Sequence, residues 1–509
     1  MRLREALGSN SHARLGPQAE RALVRSLTDS LLVEAGRTLV LELNVARTLD
    51  RLPGETPEQR FTYFTTRHLA DAASRDELLC EYPVLARLLT TSVERWLNAT
   101  VELLERLGAE RSQLERRFGA GAPLGEVIDI RLGASDAHRA GRAVAILDFA
   151  SGVKIVYKPR PLAIDVEFQS LLGWINTIGL SLDHETLEIL DYPDHGWVEF
   201  VEHRPCETLD SVRRFYARQG SMLALLHVLR ATDVHFENLI AAGEYPVVVD
   251  LESLFHHRRP TIGTPSAVER ALMALKDSVF FVGMLPVFAL GPGREHDVDF
   301  SALGGRAGQQ FPHPTPALED VGRDSMRFTQ QLVVTSGARN RPTLNGDPVD
   351  AAAHVQDILA GFIETYTRLV AERSALMARL DAFADVEIRH IFRPTFHYKF
   401  LLNAARHPDF LRDGMDRERA LNRLWTGMAT QPILRAVVRF EHADLLAGDV
   451  PIFTTRPGSR DLWSSRGERI PEFFPTTSLD ACKQRLAAMG ERDCEEQVKL
   501  LRMSLRTLK

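Results

Sequence analysis

Cysteine is scarce in this chain: Cys80, Cys206, Cys482 and Cys494 are the only four among 509 residues. No C-x-x-C occurs and no cysteine–histidine pair has zinc spacing, so no zinc is expected. Long apolar runs are missing as well. Nothing approaches the roughly 20 residues of a membrane-spanning helix, and the opening MRLREALGSNSHARLG lacks the apolar core of a signal peptide. A cytoplasmic protein without membrane insertion is therefore expected. The charge excess is small: a net charge of −6 offers no general attraction to nucleic acid or anionic lipid. Internal repeats and low-complexity tails are absent. What remains is ordinary globular composition, 44% hydrophobic and 26% charged, with length for about three domains.

The informative stretch is ATDVHFENLIAAGEYPVVVDLESL, residues 231–254. Asp233, His235 and Asn238 stand in D-x-H-x-x-N spacing, and Asp250 and Glu252 follow. The strand-like runs LIAA and VVVD, joined by a turn at Gly243 to Pro246, would return Asp250 to the neighbourhood of Asn238. A carboxylate can orient a hydroxyl nucleophile, while an Asn and a second carboxylate hold a divalent metal that neutralises triphosphate charge. This is the layout of a kinase catalytic loop followed by its metal-binding Asp. A His two places after the Asp is closer to lipid kinases than to the HRD order of protein kinases. The same polar residues also suit capping and turn positions between a helix and a strand.

The upstream order supports the kinase reading. Runs AVAILDF (143–149) and VKIVYK (153–158), joined at Ser151-Gly152, predict a hairpin whose second strand ends in Lys158. Val166, Phe168, Leu171, Leu172, Trp174 and Ile175 then recur at helical spacing. Strand-like LEILDY (187–192) and GWVEFVEH (196–203) follow, and a helix over 207–230 leads into the loop. A lysine closing a strand can be a solvated edge charge. In this order of elements it is read as the lysine that grips nucleotide phosphates.

Several segments together resemble the dehydratase domain of class II lanthipeptide synthetases (LanM-type). They are SDAHRAGRAV (135–144), VYKPR, GWVEFVEHRPC, ATDVHFENLIA, VVVDLESLF, DSVFFVGMLP and RHIFRPTFHY. RTLVLELNVAR (37–47), GETPEQRF (54–61) and AGDVPIFTTRPGSRDLW (447–463) extend the match from about residue 20 to the C-terminus, in consistent order. The resemblance implies an α+β fold with a lipid-kinase-like bilobal core, a mixed N-lobe sheet and helical C-lobe, plus additional helical regions. It implies a Ser/Thr dehydratase that binds a precursor peptide through its leader, phosphorylates Ser and Thr with ATP and Mg2+, and eliminates the phosphate. Phosphate leaves readily where hydroxide does not, once a base takes the α-proton.

Carried over by position, the resemblance gives Asp233, His235 and Asn238 the phosphorylation loop, with Asn238 also on the metal. Asp250 is the metal-binding Asp with Glu252 in support, and Lys158 contacts nucleotide. Asp136 and His138 match active-site residues of open role. Arg389 and Thr395 match the pair needed for elimination, with Arg393 less defined between them. Arg suits a departing phosphate because its planar fork stays charged and bonds two oxygens at once. Taken alone, RHIFRPT would read as a surface strand with solvated arginines. Full-length relatives carry a C-terminal zinc cyclase, and this chain stops at Thr507-Leu508-Lys509, about where that would begin. Cyclisation by a separate protein and a truncated chain are both open. The rival readings are a kinase that stops at a phosphorylated product, a non-catalytic leader-binding relative, and a helical scaffold with an accidental motif.

The expected regions are a mainly helical 1–120, a nucleotide-binding N-lobe over 121–206, the catalytic loop, metal strands and activation-like loop over 207–330, and a helical 331–509 with the elimination motif. Leu85, Leu89, Val93, Trp96, Leu97, Val101 and Leu104 predict one amphipathic helix. Val355, Leu359, Phe362, Tyr366 and Leu369 predict another over 350–382. GGRAG (304–308), in a Gly-, Pro- and His-rich stretch over 289–322, reads as a mobile loop and candidate peptide groove rather than a phosphate cradle. His256-His257-Arg258-Arg259 reads as solvated.

Overall fold

The computed structural model describes residues 14–257, 266–286, 288–289, 298–311, 314–426, 428 and 432–508. The chain is a mixed α+β protein with long helices and small antiparallel sheets. In its first half come α1 (Pro17–Thr48), α2 (Pro83–Phe118), β1 (Val127–Arg131), β2 (Ala145–Phe149), β3 (Lys154–Lys158) and α3 (Ala163–Ile175). Then follow β4 (Ile189–Asp191), β5 (Gly196–Glu199), α4 (Leu209–Val228), β6 (Leu239–Ala242) and β7 (Tyr245–Val248). Later come α5 (Val355–Ala371), β8 (Ile388–His390), α6 (Thr395–Ala404) and α7 (Val438–Ala447). The last are β9 (Phe453–Thr455), β10 (Leu462–Ser464), β11 (Arg469–Ile470) and α8 (Glu491–Leu505). Among the described residues no helix is long and apolar enough to cross a membrane.

Contacts divide the chain into two compact units, each assembled from three segments. The first takes Met1–Pro159, Pro314–Gln331 and Phe392–Ile452. Here β1, β2 and β3 form an antiparallel run in which Ala145 pairs with Tyr157 and Ile146 with Val156. Gly152, at φ 87, makes the turn of the expected hairpin. The stripe on α2 is buried at its ends (Leu85, Leu104) and half-buried between, where Val93, Trp96, Leu97 and Val101 lie. Small cores tie in the distant segments: Leu411 packs on Tyr82, Val84 and Leu85, and Met326 on Leu43, Leu52 and Phe64. A paired fork from Arg406 to Glu34, at 2.9 and 2.6 Å, reinforces the first of these.

The second unit takes Arg160–His313, Leu332–Ile391 and Phe453–Lys509. Its centre is α4, capped by a reciprocal Thr208/Ser211 box and buried on every side from Arg218 to Val228. α5 crosses it at two glycines. A Cβ on Gly220 would lie 1.9 Å from the Ile358 carbonyl oxygen, and one on Gly361 would lie 1.8 Å from that of Ala217. Only glycine lets these backbones touch. The expected helix over 350–382 is broken at Glu372, where α5 ends before a shorter helix, Arg373–Leu380. β8, β9, β10 and β11 make a separate antiparallel sheet that sets Arg389 opposite Thr454.

Candidate active site

Buried α4 delivers the chain into the loop 229–238 and then into the hairpin β6–β7, whose turn uses Gly243 at φ 66. Asp233 is held at φ 61, a left-handed conformation that a non-glycine residue adopts only when its surroundings impose it. Those surroundings are identifiable. The Asn238 side-chain amide donates to the Asp233 carbonyl at 2.8 Å, and the His235 N–H donates to the same oxygen at 3.0 Å. Val234 donates to the Val282 carbonyl, and Phe236 to the Phe300 carbonyl. His235 pairs antiparallel with Ser301. The segments DSVFFVGMLP and 298–305 thus brace the loop from outside.

Leu239 pairs with Val248, and the Val249 N–H donates to the Asn238 carbonyl at 2.9 Å. This register returns the chain so that Asp250 emerges beside the loop that carries Asn238. Asp250 retains 38% side-chain exposure, and its Oδ1 accepts from the Glu252 N–H at 3.3 Å. Glu252 is more enclosed. Its Oε1 accepts from Arg389 Nη1 at 2.5 Å, and its carbonyl accepts from the Arg389 N–H at 2.7 Å.

A residue given no role on sequence grounds joins them. Arg160 donates to Asp165 at 2.7 Å and lies 3.6 Å from both Asp250 and Glu252. Burial opposes the charge of Arg160, yet Asp165, Glu252 and Asp250 raise its pKa. Arg389 is likewise opposed by burial and raised on balance, chiefly by Glu252. The tip of Asp233 reaches solvent, but the protein crowded around it pushes its pKa up; His235 and Arg389 oppose this, and Asp250 and Glu252 add to it. Two guanidiniums therefore stand among four carboxylates, leaving local charge negative.

The remaining predicted site residues lie in the first unit. Lys158 ends β3 as expected and is buried. Asp136 pairs with Lys399 at 2.7 Å, and His138 Nδ1 contacts the Val450 carbonyl at 2.6 Å. Between them and β2 runs a turn with Arg139, Ala140 and Gly141 at φ 46, 69 and 84. Asp449 pins it, accepting from the N–H groups of Ala140 and Gly141 at 2.8 and 3.0 Å and pairing with Arg95. Thr395 opens α6 after Pro394, half-buried. Arg393 is committed elsewhere: it pairs with fully buried Glu441 at 2.8 Å, which also accepts from the Tyr398 hydroxyl. Arg389 and Thr395 thus fall in different units, the division passing between Ile391 and Phe392.

One expectation is corrected. His256 and His257 are buried, not solvated: His256 stacks on His390 with ring centroids 4.4 Å apart, and His257 lies face to face with Phe474. Burial, then His256 and Arg230, push the pKa of His257 down to about 3. Arg258 and Arg259 lie outside the described residues. Within GGRAG, Gly304 and Gly305 form a buried turn, with their N–H groups spent on the Ser301 and Asp299 carbonyls and the Asn340 amide donating to the Gly304 carbonyl, while Ala307 and Gly308 are exposed. Part of the expected groove over 289–322 lies outside the described residues.

A family model described as Domain of unknown function (DUF4135) matches residues 82–456, which takes in every predicted site residue above. Lacticin 481/lactococcin biosynthesis protein LcnDR2 of Lactococcus lactis subsp. lactis is 27% identical over 509 aligned residues, covering 96% of this chain and 53% of that protein. The chain therefore spans about half the length of the curated relative it matches. With most of its length inside the family model, the chain belongs to the DUF4135 family, which is associated with LanM-type lanthipeptide synthetases.

Proposed function

We propose that this protein is a Ser/Thr dehydratase acting on a ribosomally made precursor peptide in lanthipeptide biosynthesis, on a lipid-kinase-like core. Asp233 orients the substrate hydroxyl and takes its proton, assisted by His235, as the oxygen bonds the γ-phosphorus of ATP and the bond to the bridging oxygen breaks. A raised pKa suits a carboxylate to that work. Lys158 grips the nucleotide phosphates. In the second reaction a base removes the α-proton of the phosphorylated residue. The Cα–H electron pair becomes the double bond and the Cβ–O bond breaks, with Arg389 and Thr395 receiving the departing phosphate.

A hard dication fits the residues present. Asp250 and Asn238 offer oxygen donors beside a locally negative cluster, the donor type that suits Mg2+. When bound it would neutralise phosphate charge. The observation that carries the reading is the convergence, after a buried helix, of strained Asp233, Asn238, Asp250 and the Glu252–Arg389 pair. Asp250→Asn tests it: phosphorylation of the peptide should be lost, and unchanged turnover would remove the metal assignment.

A further inference from the structure

Glu252 stands two residues beyond the proposed metal carboxylate, where a second metal ligand would be expected. Its surroundings speak otherwise. One carboxylate oxygen takes the Arg389 guanidinium at 2.5 Å and the other faces Arg160 at 3.6 Å. Arg160 is fixed in turn by its fork to buried Asp165, whose oxygens it reaches at 2.7 and 3.4 Å. Glu252 is thus sandwiched between two guanidiniums, which compete with a dication for the same lone pairs. Asp250, by contrast, has 38% of its side chain exposed, against 15% for Glu252.

We propose that Glu252 is a positioning residue for phosphate elimination: it holds the Arg389 guanidinium in place, with Arg160 and Asp165 as its brace, and does not ligate the metal. This rests on the dehydratase reading above. A guanidinium stabilises a departing phosphate only if its fork is already aimed, because reorienting it during bond cleavage costs rate. The main-chain bond from Arg389 to the Glu252 carbonyl, at 2.7 Å, would survive substitution of the side chain. Replacing the carboxylate therefore releases the guanidinium while leaving the strand in place.

The experiment compares the two half-reactions in Glu252→Gln. Phosphorylation is read as a gain of ~80 Da on a precursor peptide with ATP and Mg2+. Elimination is read as phosphate released from the same peptide carrying phosphoserine. The expected result is elimination slowed about tenfold or more in kcat, with the KM for phosphopeptide not raised and phosphorylation changed by no more than about threefold. A loss of phosphorylation with a raised Mg2+ half-saturation would make Glu252 a metal ligand and overturn the proposal. Unchanged rates in both reactions would overturn it too. Should Glu252→Gln fail to fold, Glu252→Asp retains the charge but withdraws it from Arg389, and the same comparison decides. A wild-type protein that neither phosphorylates nor dehydrates the peptide would instead refute the function on which the proposal rests.

Discussion

Replacing Gly361 by alanine should cost this protein more stability than its size suggests. The new methyl would lie 1.8 Å from the Ala217 carbonyl oxygen, whereas carbon and oxygen in contact stay about 3.3 Å apart. α4 and α5 would have to part by roughly 1.5 Å, the difference between the two distances. Backbone, not a flexible side chain, stands in the way, so the gap opens between two buried helices. The cost should be about 3 kcal/mol or more. In a unit of this size that corresponds to melting roughly 6 °C lower, measured by thermal unfolding. Gly220→Ala should do the same, since its methyl would lie 1.9 Å from the Ile358 carbonyl. One separation of the helices relieves both clashes. The double variant should therefore lose about as much as either single one, not the sum. Gly173→Ala is the control: that exposed glycine of α3 has nothing within 4 Å of a new Cβ, and helix propensity predicts a gain of about 1 kcal/mol. A Gly361→Ala protein that melts with the wild type, or a double variant twice as destabilised, would refute the crossing geometry.

Other consequences concern the site and its supports. Arg389→Ala or Thr395→Ala should leave phosphopeptide accumulating, and normal dehydrated product from either would remove its elimination role. Asp449→Ala should loosen the turn over 138–142, seen as faster proteolysis there and reduced activity; an unchanged cleavage pattern would show that the turn holds itself. His257, with its pKa down at about 3, and His184, pushed by burial and then Arg218, against a nearby Asp183, to about 4, stay neutral in the fold while the unfolded chain takes up protons near pH 6.5. Stability should therefore fall as the pH drops below about 6.5, at about 1.4 kcal/mol per pH unit for each proton difference. His257→Phe should flatten that slope, and a urea titration between pH 7 and pH 5 with the same slope in both proteins would contradict the assignment.

Much of the frame is legible because its signals are local. The β2–β3 hairpin follows from two strand-like runs joined at a glycine that reaches φ 87, and the helical stretch expected over 207–230 contains α4. The site is legible only where its spacing is short. Asp233, His235 and Asn238 lie within one turn, and the hairpin register carries Asp250 back. Arg160 escapes notice although it stands two residues from Lys158, because its meaning lies in Glu252 and Asp250, some ninety positions away. His256 and His257 look solvated in a polar string, yet His390 and Phe474 arrive from distant segments and enclose them. Gly220 and Gly361 look like weak points in helices until their crossing is seen. Long-range packing also draws 314–331 and 392–452 into the first unit, and no local pattern announces that.

The most direct test is intact-mass analysis of a candidate precursor peptide, encoded beside this gene, after incubation with the protein, ATP and Mg2+. The account predicts losses of ~18 Da per modified Ser or Thr, the water removed by phosphorylation and elimination together. A persistent gain of ~80 Da, phosphate added and retained, would contradict the dehydratase reading and leave a kinase.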